Sequence, residues 1–161
     1  MKPTARYVQG LARLKAGDLG LLRTHAGRGL DETLYGFDLF TGLWWPLRQA
    51  SQFAPRREVA WLVAKLYAFR PLGHASGRTL AKCLARLRPR GEEARKSFDR
   101  RFDGLLTLPL REIEPALRWA ADQIAQAEGN LDWVRLTDDL SRWERETTRL
   151  GWAEQYLEAN Q

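Results

Sequence analysis

The sequence predicts an all-α fold: a compact helical bundle of about eight helices forming a single domain over residues 1–161, the alternative being two lobes, 1–72 and 73–161. Apolar residues recur at steps of three and four along the chain, the period of a helix with one buried face. Runs of β-branched residues are scarce, and no Asn-Gly pair marks a hairpin. Glycines and prolines fall between the periodic segments, where helices stop.

Taken in order, the segments read as helices over about 4–16, 18–26, 31–45, 57–70, 79–88, 91–107, 115–128 and 132–158. The first ends at Ala16-Gly17-Asp18, the second at Gly27 and Gly29, the third at Pro46. Ala54-Pro55 precedes the fourth, whose wide apolar face is Val59, Leu62, Val63, Leu66 and Tyr67. Pro71 and Gly73 separate it from the fifth, which buries Leu80, Leu84 and Leu87 with Cys83 at the border. Pro89 and Gly91 open the sixth, with Phe98, Phe102, Leu105 and Leu106 inward. Asp99 and Asp103 are each placed to pair with a base one turn away. Pro109 ends it, and Pro115 stands in the first turn of the seventh, where a missing N–H costs little.

The last segment follows Gly129-Asn130, with Asp132 as N-cap. Trp133, Leu136, Leu140, Trp143, Leu150 and Leu157 form one apolar stripe, and a bend is expected near Gly151. Asp138 and Asp139 then fall on the polar side among Arg135, Arg142 and Arg145, which reads as packing with a cap rather than an acidic catalytic patch. Trp152 and Tyr156 lie off that stripe, facing either the core or a partner.

No run of eighteen apolar residues exists to span a membrane, and the start lacks the apolar stretch of a secretory signal. One cysteine fits a reducing cytoplasm, and two histidines with one thiol speak against structural zinc. His25 and His74 sit near turns without a recognisable Ser or Cys partner, and there is no phosphate loop, nucleophile elbow or metal-spaced pair. The expectation is a protein without catalytic residues, metal or cofactor. A nuclease assembled from scattered acids has no spacing to support it.

The net charge of +6 is unevenly spread. Residues 1–47 carry 6 basic and 4 acidic side chains, 48–101 carry 14 and 4, and 102–161 carry 6 and 12. A basic block of that size points to a polyanion, most often nucleic acid. Arginine outnumbers lysine 21 to 5, which suits bidentate phosphate contacts, although a GC-rich genome accounts for most of the ratio. It does not account for the clustering. Arg78, Lys82 and Arg86 stand four apart, followed by Arg88 and Arg90. Like charges at that spacing oppose the helix by roughly 0.2–0.5 kcal/mol each, so the stripe reads as binding rather than solvation. Arg56 and Arg57 at a helix start are a second anion-attracting feature, though solvated arginines explain them as well.

Several motifs, in order, resemble one family: Leu11, Leu14, Gly17, Asp18 and Arg23 near the start; AWLVAKLYA at 60–68; S-G-R-x-L-A at 76–81; R-R-F-x-x-L-L at 100–106; D-W-x-x-L-x-x-D-L-x-x-W at 132–143; and G-W-A-x-x-Y at 151–156. They are similar to the small subunit (CasB family) of the type I-E CRISPR effector complex, Cascade. The resemblance covers nearly the whole chain. It implies an all-α, non-enzymatic subunit that assembles with other Cascade subunits around crRNA, pairs with a second copy, and serves antiviral defence. It implies a basic face that holds target DNA, mainly the displaced non-target strand, without sequence preference. Arg23, Arg56, Arg78, Arg100 and Arg101 match that face. Lys82, Arg86 and Arg118 are added from the residue pattern, Arg118 having Glu114 and Asp122 as alternative partners. The acidic C-terminal third then suits a protein contact. The competing reading is a free-standing helical adaptor for RNA or an acidic protein surface.

Overall fold

A computed structural model describes residues 1–30 and 37–160, without the Phe37 side chain. Among the described residues it contains nine α-helices, one short 3-10 turn and no strand; a single bridge pairs His74 with Leu131. The fold is all-α. The chain divides into two compact units, Met1–Pro71 and Leu72–Gln161.

The first unit holds α1 (Pro3–Ala12), α2 (Ala16–Arg23), α3 (Phe37–Ala50) and α4 (Arg57–Phe69). Every residue of α4 from Val59 to Ala68 is buried, because α2 and α3 both pack against it. Such a helix is a core element rather than a one-sided surface helix. Its one charged buried residue, Lys65, sends Nζ to the Arg28 carbonyl at 2.7 Å and lies over the Trp61 ring. The hydroxyl of Tyr7, on α1, donates to the Ala60 carbonyl. Burial alone pushes that phenol well above its ordinary pKa.

The second unit holds α5 (Leu80–Arg86), α6 (Glu92–Thr107), a 3-10 turn (Leu110–Glu112), α7 (Glu114–Gln126), α8 (Trp133–Leu140) and α9 (Glu146–Glu158). Helices α5 and α6 each pack on α7 and α9. Phe102 stacks on Tyr156 at 4.1 Å, and Phe98 meets Trp119 edge-on at 5.1 Å. Such ring pairs add about 0.5–1.5 kcal/mol beyond the area they bury.

Several expectations need correction. Ala16-Gly17-Asp18 begins α2 instead of separating two helices, and Asp18 suits the positive end of that helix. Pro46 does not end α3, which runs to Ala50. Tertiary anchoring outweighs the lost backbone bond: Phe40 and Trp44 stack at 5.7 Å in the core, and the Trp44 indole donates to the Pro55 carbonyl at 2.7 Å. The start of the helix expected over 31–45 lies outside the described residues, 31–36 being left out.

The longest expected helix, 132–158, is two helices with a turn at 141–145. Trp143 and Trp152 are nine positions apart, so one continuous helix would aim them about 180° apart. The turn lets both enter the core, edge to face at 4.8 Å. Trp143 donates to the Leu108 carbonyl at 2.8 Å, and Arg149 Nε donates to the Trp143 carbonyl at 2.9 Å. The stripe therefore breaks: Leu150 and Leu157 are exposed, while Trp152 and Tyr156 are core. Asp139 is likewise buried rather than solvent-facing, accepting from the Trp152 indole at 2.8 Å and from Arg135 Nε at 3.0 Å.

Candidate nucleic-acid interface

The stretch expected to bind begins in the loop before α5, and Asp132 fixes that loop. Its carboxylate caps α8 as expected, accepting from the Arg135 amide at 2.9 Å, while its second oxygen accepts from the Gly77 amide at 2.8 Å. Its own amide donates to the Arg78 carbonyl at 2.8 Å. Leu131 adds two backbone bonds, donating to the Gly73 carbonyl and accepting from the Ala75 amide. His74 Nδ1 accepts from the Trp133 amide, which makes the ring part of this clamp. Gly77 takes a φ of 84°, a left-handed conformation that side chains oppose. Arg78 thus stands at the exit of a turn secured from both sides.

Thr79 then caps α5, accepting from the Lys82 amide, and its hydroxyl donates to Gln155 Oε1 on α9 at 2.7 Å. Arg78 precedes the helix rather than belonging to it, so the cationic stripe is a loop residue followed by two helical ones. Leu80 and Leu84 are buried, and Arg78, Lys82 and Arg86 are all exposed. Among the described residues, none of the three forms an ion pair. Arg78 and Arg86 act on one common neighbour: burial pushes the Cys83 thiol up, and both guanidiniums pull it back.

Arg88, the next cation, does not continue the stripe. Its Nε and Nη2 meet the two Asp99 oxygens at 2.7 and 2.6 Å, and the Tyr156 hydroxyl donates to the same carboxylate. The one-turn pairing expected for Asp99 on its own helix gives way to a partner eleven positions back. Arg88 and then Tyr156 hold the Asp99 carboxyl below its ordinary range. Burial and the Asp99 charge push the Tyr156 phenol up. Arg90 is exposed.

On α6, Arg100 is exposed, and Arg101 is exposed while covering the Trp119 ring at 4.9 Å. Arg118, on α7, is half-buried. In the first unit, exposed Arg23 donates to the Ala68 carbonyl in the last turn of α4 at 3.3 Å, and exposed Arg56 is the N-cap residue of α4. Sequence reasoning missed Arg88 as a clamp, because its partner is distant in the chain. It also missed two exposed aromatics of the first unit, Trp45 and Phe53, which period counting assigns to no face. Among the described residues no group of three His, Cys, Asp or Glu side chains is arranged to hold a metal ion, and no helix is long and apolar enough to cross a membrane.

These features define an all-helical protein carrying an exposed cationic edge at α5. The model of one family, CRISPR-associated protein Cse2, matches residues 11–157. A Cse2 protein of Thermus thermophilus is 40% identical over 108 residues, which are 64% of this chain and 58% of that protein's length. The crystal structure of a Cse2-family protein from the same organism superposes with a TM-score of 0.75 at 28% identity, over 98% of this chain and 99% of that one. M. ruber CasB superposes with a TM-score of 0.77 at 23% identity, covering 98% and 94%, a likeness of fold. The chain belongs to the CRISPR-associated Cse2 (CasB) family, the family to which the sequence motifs pointed.

Proposed function

We propose that this protein is a non-enzymatic small subunit of an RNA-guided Cascade complex of the cytoplasm, holding target DNA in antiviral defence. Its partners are the crRNA-bearing subunits, a second copy of itself, and chiefly the displaced strand. Family membership supports the assembly role. The supporting observation for the DNA-holding role is the state of Arg78, Lys82 and Arg86: exposed and outside any ion pair among the described residues, Arg78 on the turn clamped by Asp132 and the other two on α5. Lys82 is the sharpest of the three. It is the third residue of α5, where a glutamate would complete a capping box with Thr79 and suit the helix dipole. A lysine there costs helix stability, which a polyanion bound at that edge explains.

Base pairing with the guide reads sequence in such complexes, so the protein needs phosphate contacts rather than base-edge contacts. Arg23, Arg56, Arg100, Arg101 and Arg118 extend the proposed contact set.

The test is the triple charge reversal Arg78→Glu/Lys82→Glu/Arg86→Glu in the assembled complex. Losing three phosphate contacts to a single strand makes the slope of log K against log salt shallower by about 2. Unchanged DNA retention and an unchanged slope would reject the role.

A further inference from the structure

We propose that the turn at residues 51–54 in the first unit is a base-stacking site for single-stranded nucleic acid, with Phe53 as its platform. This rests on the nucleic-acid reading above and adds a binding residue of a different chemistry in a different unit. Phe53 is 77% exposed, the most exposed aromatic ring among the described residues. A lone exposed apolar side chain is ordinary; here the backbone around it is built to keep it out.

Arg48 Nη1 donates to the carbonyls of Gln52 at 2.9 Å and Ala54 at 3.1 Å, bracketing Phe53. The Phe53 amide donates to the Ser51 hydroxyl at 3.1 Å, and the Ala54 amide to the Ser51 carbonyl at 3.2 Å. Ala54 and Pro55 are buried, and the Pro55 carbonyl accepts from the buried Trp44 indole. The chain is therefore anchored immediately after the ring, and the turn before it is tied by one guanidinium. The phenyl group does not fold back onto the nearby core.

The charge around it selects the partner. The cation at the turn is Arg48, which forms no ion pair among the described residues. Arg48 spends its hydrogen bonds on neutral carbonyls, so its positive charge stays at the turn. An exposed ring on a tied backbone beside a cation is a combination that single-stranded nucleic acid uses: backbone on the charge, a base on the ring, no preference for sequence. An apolar protein pocket would take the ring but would have to desolvate the Arg48 charge beside it.

The test is a titration of the full chain with two labelled strands of equal length, oligothymidine and a fully abasic strand. Phe53→Ala is expected to weaken oligothymidine about tenfold, since one stacked base contributes on that order. The slope against salt stays unchanged, the abasic strand is unaffected, and Phe53→Tyr restores binding. If Phe53→Ala binds both strands as the parent does while the α5 charge reversal still weakens both, stacking is refuted and the cationic edge stands. Equal weakening of both strands by Phe53→Ala also refutes it. Parent protein that binds neither strand overturns both readings.

Discussion

Arg88 and Asp99 form a two-pronged ion pair, with nitrogen–oxygen distances of 2.7 and 2.6 Å, between the segment just after α5 and the middle of α6. The Tyr156 hydroxyl on α9 donates to the same carboxylate, so one acid ties three segments of the second unit. This separates Arg88 from the neighbouring cations: the chain spends Arg88 on itself and leaves Arg86 and Lys82 exposed.

Asp99 gives the acid side of the stability profile. Its folded pKa is depressed by Arg88, so its contribution is fully present above the unfolded value near 3.9 and is lost as pH falls through the lower folded value. Thermal unfolding from pH 6 to pH 2 should show a steeper acid loss for the parent than for Asp99→Asn. At pH 7 that variant should be about 1–2 kcal/mol less stable, the partly exposed pair being screened by water.

Tyr156 gives the alkaline side. Its folded pKa is raised by burial and by Asp99, so stability falls as pH rises above the ordinary phenol value near 10, where the unfolded chain ionises first. Tyr156→Phe should flatten that alkaline loss. At neutral pH it should cost about 1 kcal/mol for the missing hydrogen bond. Denaturant melts at pH 7 and pH 10.5 check both.

Asp139→Ala removes the acceptor of the Trp152 indole and the partner of Arg135, leaving a buried N–H unsatisfied. The expected loss is about 2–3 kcal/mol in urea midpoint measurements. Leu150→Ala, on the exposed side of α9, should shift stability by less than about 0.5 kcal/mol.

Asp132→Ala should release the Gly77 amide and loosen the turn that carries Arg78. Hydrogen exchange at Gly77 and Asp132 should accelerate by an order of magnitude, with a stability loss of about 1–2 kcal/mol from the lost cap. Unchanged exchange would show that the remaining bonds of Leu131, His74 and the Asp132 backbone hold the turn without the carboxylate.

Lys82→Glu should separate stability from binding. It replaces repulsion from Arg86 by an i,i+4 attraction and places an acid in the first turn of α5, raising stability by about 0.5–1 kcal/mol. DNA retention should fall in the same variant. A destabilised Lys82→Glu protein would contradict the geometry at Thr79.

Local pattern by itself determined the helical class, the family motifs, the Asp132 cap and the cationic run at 78–86, because each is expressed within a turn or two of chain. The buried leucines of α5 and the cap at Thr79 follow from the same short-range chemistry. Only the tertiary structure decided that 132–158 breaks so that Trp143 and Trp152 share a core, that Pro46 is carried through α3, and that Arg88 is neutralised by Asp99. It also decided that Phe53 is held outward by Arg48. Those outcomes depend on partners outside the local helix face, and a periodic pattern holds no information about which distant carbonyl or carboxylate a side chain will meet. The hydrophobic period fixes which face is buried; contacts between segments fix where a helix stops and which charges remain exposed.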